Sequence, residues 1–363
     1  MKQKKYFFLL LLCCNIFAKK PVGIENCGTS CYMNATIQCL YYVRLLVNFL
    51  VKERSNYKVG SPTQELITIF DLLDKSQGII SQDTIGGFYE KIIDPLIVQR
   101  TNLQPLQQQD AQELLNALLE HISNIDIQSN EFMIKSDFKK LVEFQENPTI
   151  RCKDNTGTVI HTEKLNPSLQ QLLSLPSAGH TLIDCLNKHF EAEKLLPPNE
   201  VHWCKAPFIG YKTVTLSNLP EIIIIQFKLF DGSGNKVLTP ISIPEIVDFS
   251  QYTEDKNNNY RYSLTSVAVH GGETIQSGHY WAYVKTDNMW YECNDSAITQ
   301  KVPDFLGTHR WNPHQDITGR PYILFYQKSI GAEPITPIPS THDLQQHLET
   351  LAHELGIVAS LLT

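Results

Sequence analysis

A thiol attacks a carbonyl carbon well only as thiolate, so a cysteine that does chemistry needs neighbours that lower its pKa. Cys31 has the first of these in its own stretch of chain. From Ser30 onward, Cys31, Ala35, Ile37, Leu40, Tyr41 and Leu45 recur near helical spacing, and Ser30 suits the N-cap. Cys31 then falls in the first helical turn, where unpaired amides and the helix dipole present partial positive charge. Taken alone it reads as a buried structural thiol, because cysteine is a common interior residue. A second polar helix start lies at Asp110. There Ala111, Leu114, Leu115, Leu118 and Leu119 form one stripe running to Ile122, and the carboxylate sits at the positive end.

The surroundings of Cys31 decide between these readings. Gly23-Ile24-Glu25-Asn26-Cys27-Gly28-Thr29-Ser30-Cys31-Tyr32-Met33-Asn34-Ala35 closely resembles the cysteine box of the ubiquitin-specific proteases. That resemblance implies Cys31 as nucleophile and Asn26 as an oxyanion-hole donor, a role for which a side-chain amide is chemically apt. Cys27 stands where the family often has Leu, and Thr29-Ser30 where it often has Asn-Thr. His270-Gly271-Gly272 and Ser277-Gly278-His279-Tyr280-Trp281-Ala282-Tyr283 resemble the histidine box, which implies His279 as general base. Met289-Trp290-Tyr291-Glu292-Cys293-Asn294-Asp295 resembles the segment whose first Asn or Asp orients that histidine, with Asp295 as a second polar helper. If Asp287-Asn288 is a two-residue hairpin turn, Thr286 pairs with Met289 and Asn294 lies diagonal to His279 on one face. A three-residue turn would reverse that parity. His270, at a strand end, reads as an ordinary structural histidine.

Three further segments fit the same family in the expected order. Gln107-Gln108-Gln109-Asp110-Ala111-Gln112-Glu113-Leu114-Leu115 resembles the box that holds the ubiquitin tail. Gln109, Asp110 and Glu113, with Tyr280, are the substrate-binding positions this implies, Asp110 on tail amides and Glu113 near its arginines. Ile224-Ile225-Gln226-Phe227-Lys228-Leu229-Phe230 and Pro321-Tyr322-Ile323-Leu324-Phe325-Tyr326 resemble a core strand and the closing strand. The resemblance spans Gly23 to Gln327 and implies hydrolysis after the terminal Gly-Gly of ubiquitin, with the Gly271–Gly278 loop as part of a narrow gate. The alternatives are a catalytically weak ubiquitin-binding domain and a cysteine protease for another ubiquitin-like modifier. Many members bind zinc through two Cys-x-x-Cys pairs in the fingers region. Here only Cys152 and Cys204 stand near those places, a poor site, so no metal and no cofactor is expected. Apolar packing by Leu182, Cys185, Leu186 and Phe190 is expected to hold the fingers instead.

The elements that must position these residues change along the chain. The first third is helical in pattern. The middle, 123–212, is mixed: 169–175 and 182–190 look helical and the rest irregular. From Val214 strands dominate, at Glu221–Phe230, Tyr262–His270, Tyr280–Lys285, Met289–Cys293 and Tyr322–Tyr326. Helices first and strands later point to α+β. The resemblance sharpens this to a papain-like cysteine protease fold of thumb, palm and fingers.

The whole chain sets outer limits. Its 363 residues, 42% hydrophobic and 19% charged, suit a soluble globular protein, and a formal charge of −7 carries no basic footprint for nucleic acid. Lys2, Lys4 and Lys5 precede an apolar run from Tyr6 to Leu12 that extends to Phe17, then Ala18. That is the order of a secretory signal, 1–18, and it is too short for a stable membrane span. The catalytic domain is then 19–328. Beyond it, 329–363 reads as a Pro-rich linker and an amphipathic helix from Ser340, with a nearly heptad stripe at Leu344, Leu348, Leu351, Leu355, Val358 and Leu362. That helix packs on its own domain or meets a partner through 340–363. The seven cysteines after the signal are odd in number and scattered, unlike a disulfide framework. A secretion signal with cysteines of reduced character fits export by a bacterium into a host cytosol.

Overall fold

The computed structural model describes residues 20–90, 96, 109–230, 235–255, 260–274, 277–307 and 319–329. The chain divides into two units, 1–328 and 329–363. The expected signal at 1–18, the helix expected from Ser340 and Gln107-Gln108 lie outside the described residues.

Helices come first: α1 (Cys31–Tyr42), α2 (Arg44–Glu53), α3 (Pro62–Lys75), α4 (Gln82–Phe88), α5 (Ala111–Glu120) and α6 (Glu131–Val142). All 12 residues of α1 are buried, so it is a central helix rather than an amphipathic surface one. The stripe anticipated after Asp110 is the buried face of α5, whose Leu114, Leu115, Leu118 and Leu119 are all inside.

The middle of the chain departs from expectation. Residues 169–175 are not helical but fall in β3 (Ser168–Gln170) and β4 (Leu173–Pro176). The region read as irregular holds a five-stranded sheet. In it β2 (Val159–Lys164), β1 (Phe144–Lys153), β6 (Ile209–Ser217) and β5 (Glu193–Leu195) run in that order, and β3 also pairs with β1. Only α7 (Leu182–Phe190) is helical as predicted, started by a capping box between Thr181 and Asp184.

An eight-stranded sheet forms the second half. Its order is β12 (Ala297–Gln300), β11 (Met289–Asn294), β10 (Ser277–Thr286), β9 (Arg261–Thr274), β13 (Gly319–Lys328), β7 (Ile222–Lys228), β4, with β8 (Ile246–Asp248) also pairing β9. Every pairing is antiparallel except β4 with β7. The isoleucine run Ile222–Ile225 is buried on both faces, as a central strand covered by helices must be. α1 packs against β9, β10 and β11, which brings the first turn of α1 to the strand carrying His279. Among the described residues no helix is long and apolar enough to cross a membrane.

The fingers are held differently from the expectation. Leu182, Cys185 and Leu186 belong to the main core, and Phe190 stacks on Tyr252 at 4.8 Å. Cys152 on β1 and Cys204 in the β5–β6 connection form a disulfide. The sequence offered no framework that would pair them, since 52 residues separate the two. With both sulfurs in that bond, neither can ligate a metal, and the described residues contain no group of three or more His, Cys, Asp or Glu that could hold one.

Candidate active site

Cys31 is the first residue of α1 and Ser30 its N-cap, as the spacing predicts. The Ser30 side chain does not cap the helix, however. It turns back, accepting from the Cys27 amide at 2.8 Å and donating to Asn26 Oδ1 at 3.3 Å. The Ser30 amide donates to the same Asn26 oxygen at 3.1 Å. Asn26 is thereby clamped by its oxygen, and its Nδ2 donates to Asp295 Oδ2 at 2.9 Å. An amide nitrogen carries two N–H groups, so one remains beyond the bond to Asp295.

The hairpin behaves as the parity argument requires. Asp287 and Asn288 both have positive φ, 46° and 62°, the pattern of a two-residue type I′ turn. Thr286 pairs with Met289 and Ala282 with Cys293. His279 and Asn294 therefore share a face, and His279 Nε2 donates to Asn294 Oδ1 at 2.6 Å. That bond occupies Nε2 and leaves Nδ1 for the hydrogen bond with Cys31. The Cys31 bond is the largest influence on His279 and raises its pKa to about 9. Partial burial opposes the rise, while Asn294 and the negative charges of Cys31 and Asp295 reinforce it. At neutral pH the ring therefore carries its proton beside the sulfur. The Trp281 ring stacks on His279 with centroids 6.0 Å apart and limits its rotation.

A cleft of about 510 Å³ opens beside His279, lined in part by Gly271, Gly272, Gly278, Trp281 and Asn294. Gly278 admits no side chain. A Cβ there would lie 2.1 Å from the Gly271 carbonyl oxygen and 2.6 Å from His270 Nε2. His270 is wholly buried. Burial first, then the charges of Lys236 and His279, push its pKa down to about 3. The Lys236 ammonium donates to His270 Nδ1 at 3.0 Å and to the carbonyls of His270 and Gly272, each at 2.8 Å. Nothing local to Lys236 in the sequence signals a link to a hairpin 34 residues away.

The four candidate substrate-binding residues fall on neighbouring elements. Asp110 is the N-cap of α5, accepting from the Gln112 amide at 2.6 Å and from the Tyr322 hydroxyl at 2.7 Å. Burial raises its pKa against those two hydrogen bonds. Gln109 is 2% exposed, and neither polar atom of its amide has a partner among the described residues. Tyr280 is buried beside Tyr322, ring centroids 6.3 Å apart. Glu113 lies in the first turn of α5.

A buried thiol at a helix start, a histidine on it and an amide behind the histidine are the parts of a cysteine hydrolase. The sequence profile of the ubiquitin carboxyl-terminal hydrolases matches residues 22–326. The chain belongs to that family. Its similarity to curated members of the family is low in identity but long. It is 26% identical to ubiquitin carboxyl-terminal hydrolase 17-like protein E of Mus musculus, over 86% of this chain and 56% of that protein. It is 26% identical to ubiquitin carboxyl-terminal hydrolase 25 of Arabidopsis thaliana, over 85% of this chain and 47% of that one. It is also 26% identical to probable ubiquitin carboxyl-terminal hydrolase 16 of Schizosaccharomyces pombe, over 86% and 68%. The chain thus spans about half to two thirds of the length of these relatives. Among solved structures, the SAGA Ubp8/Sgf11/Sus1/Sgf73 DUB module bound to ubiquitin aldehyde includes a chain that superposes with a TM-score of 0.66. That match covers 86% of this chain and 70% of the other at 21% identity. It carries the fold: the chain has the papain-like α+β architecture.

Proposed function

We propose that this hydrolase is a deubiquitinase that cleaves isopeptide or peptide bonds after the C-terminal Gly-Gly of ubiquitin. The observation that carries the reading is the line Cys31–His279–Asn294, assembled across a helix start and a hairpin 248 residues further along the chain. In this reading the Cys31 thiolate attacks the Gly carbonyl. The oxyanion is held by the second N–H of Asn26 and by backbone amides of the first turn. His279 gives its proton to the leaving lysine amine, a thioester forms, and water activated by His279 releases ubiquitin. Asn294 holds the ring so that Nδ1 faces the sulfur. Asp295 sits 3.9 Å from Nε2 and supports the imidazolium. The unpartnered amide of Gln109 and the buried carboxylate of Asp110 favour an extended backbone as ligand, since both can bond peptide groups.

The decisive experiment uses residues 19–363 and ubiquitin carrying a thiol-reactive C-terminal warhead. An adduct that forms with the wild type and is absent in Cys31→Ala supports the reading. Binding without an adduct would turn it towards a ubiquitin-binding domain. An adduct only with another ubiquitin-like protein would change the substrate. We also propose that the chain is secreted by way of residues 1–18, ahead of a catalytic domain spanning 19–328. The basic-then-apolar start supports this, and so does the Cys152–Cys204 disulfide, a bond that belongs to oxidising compartments. The stretch from Ser340, whose apolar spacing is that of a helix, is a further candidate partner site, to be tested by deleting 340–363 and measuring oligomer size.

A further inference from the structure

Asp295 occupies an unusual position. Its backbone is left-handed, with φ 50°, and its carbonyl accepts the Ile24 amide at 3.0 Å. Both carboxylate oxygens turn into the seam between α1 and the large sheet. Oδ2 accepts from Asn26. Oδ1 accepts from Asn34 Nδ2 at 2.8 Å. Asn34 is 2% exposed and lies three residues after Cys31, on the same face of α1.

The orientation of Asn34 is forced. Its Nδ2 also approaches the carbonyls of Ile24 and Glu25, each at 3.3 Å. All three of its neighbours are acceptors, and flipping the amide would set its oxygen against a carboxylate. Meanwhile its own Oδ1 is buried without a partner, a costly arrangement for a side chain whose role is packing alone. The amide is thus aligned for donation, and the tightest recipient is Asp295.

We propose that Asn34 is a positioning residue for the oxyanion hole, acting through Asp295 on Asn26. Held at Oδ1 by Asn34, the carboxylate keeps Oδ2 facing Asn26. Held by Asp295 at one N–H and by Ser30 at its oxygen, the Asn26 amide has one direction left for its second N–H. The proposal rests on the hydrolase reading above and adds a residue that the chemistry of Cys31 and His279 does not require.

Two reactions at Cys31 separate this role from a structural one. Alkylation by iodoacetamide needs the nucleophile but no oxyanion, whereas hydrolysis of ubiquitin-aminomethylcoumarin needs both. Asn34→Ala is expected to lower kcat about 10- to 100-fold with KM nearly unchanged, less than the ~10²–10³ seen when a direct oxyanion donor is removed. Its alkylation rate should stay within about threefold of wild type. In an Asp295→Ala background, Asn34→Ala should have almost no further effect, because the two act in one chain. A parallel fall in alkylation and hydrolysis, or additive losses in the double variant, would overturn the proposal. Failure of the underlying reading looks different: the wild type would alkylate at Cys31 yet release no coumarin from ubiquitin, and the proposal would fall with it.

Discussion

The seam between α1 and the large sheet and the five-stranded fingers sheet are built on opposite plans. At the seam the helix is fully buried and the strands facing it largely so, and the polar groups there bond to one another: Asn26, Ser30, Asn34, His279, Asn294 and Asp295. Among the described residues no disulfide crosses it. In the fingers, β2 is exposed along nearly its whole length and β1 is only partly covered. There a disulfide crosses between β1 and the β5–β6 connection. A region with enough apolar surface to bury can fix side chains to a few tenths of an ångström by packing. One without it has to restrict the unfolded chain instead. Chemistry is therefore placed where packing is dense, and the outlying sheet is secured by a bond that asks little of its surroundings.

Perturbing each region in turn tests that contrast. The largest effect is expected at the seam. Asn294→Ala frees the His279 ring, and kcat should fall by about 10²- to 10⁴-fold, the upper end being what loss of the orienting residue costs a serine triad. The pH profile gives the same interaction a sign. In the wild type kcat/KM should hold through neutrality and fall as pH rises through about 9, where the imidazolium loses the proton that the leaving amine needs. Asn294 raises the His279 pKa, so Asn294→Ala should move this alkaline limb to lower pH. An unmoved limb would detach Asn294 from the histidine. Next in size is the staple. Cys152→Ser with Cys204→Ser should cost about 2–4 kcal/mol of stability in denaturant unfolding. It should weaken capture of ubiquitin by a Cys31→Ala protein, and leave Cys31 alkylation in an otherwise wild-type chain unchanged. Altered alkylation would mean the two regions are not independent. Smallest is the cap of α7. Thr181→Ala removes half of a capping box and should cost about 1 kcal/mol, read as a shift in Tm with no change in kcat.

The same division explains what could be read from the residues alone. The site was legible because the segments around Cys31 and His279 resemble a known family's, and because local signals agreed with them: a helix start at Ser30, and a turn at Asp287-Asn288 whose parity, for two residues, sets Asn294 beside His279. The long buried strands announced themselves by apolar runs such as Ile222–Ile225. The fingers did not. Their strands lack an apolar alternation, so Leu169 to Leu175, with leucines at helical spacing, read as helix while tertiary pairing made strands of it. The disulfide was invisible because its partners are 52 residues apart. Asn34 was in view within the cysteine segment, yet its partner lies 261 residues away, and no spacing rule connects them.

One consequence of the staple concerns time rather than shape. Cys152 is 0% exposed and Cys204 2%, and thiol–disulfide exchange needs direct attack on a sulfur. A reductant is thus slow to reach either sulfur and open the fingers. The bond preserves a record of where the chain folded: a molecule that met an oxidant once carries it into thiol-rich surroundings, while one made and kept reduced never acquires it. Two populations of one sequence, alike at the nucleophile and different in the fingers, would then persist side by side in the same solution.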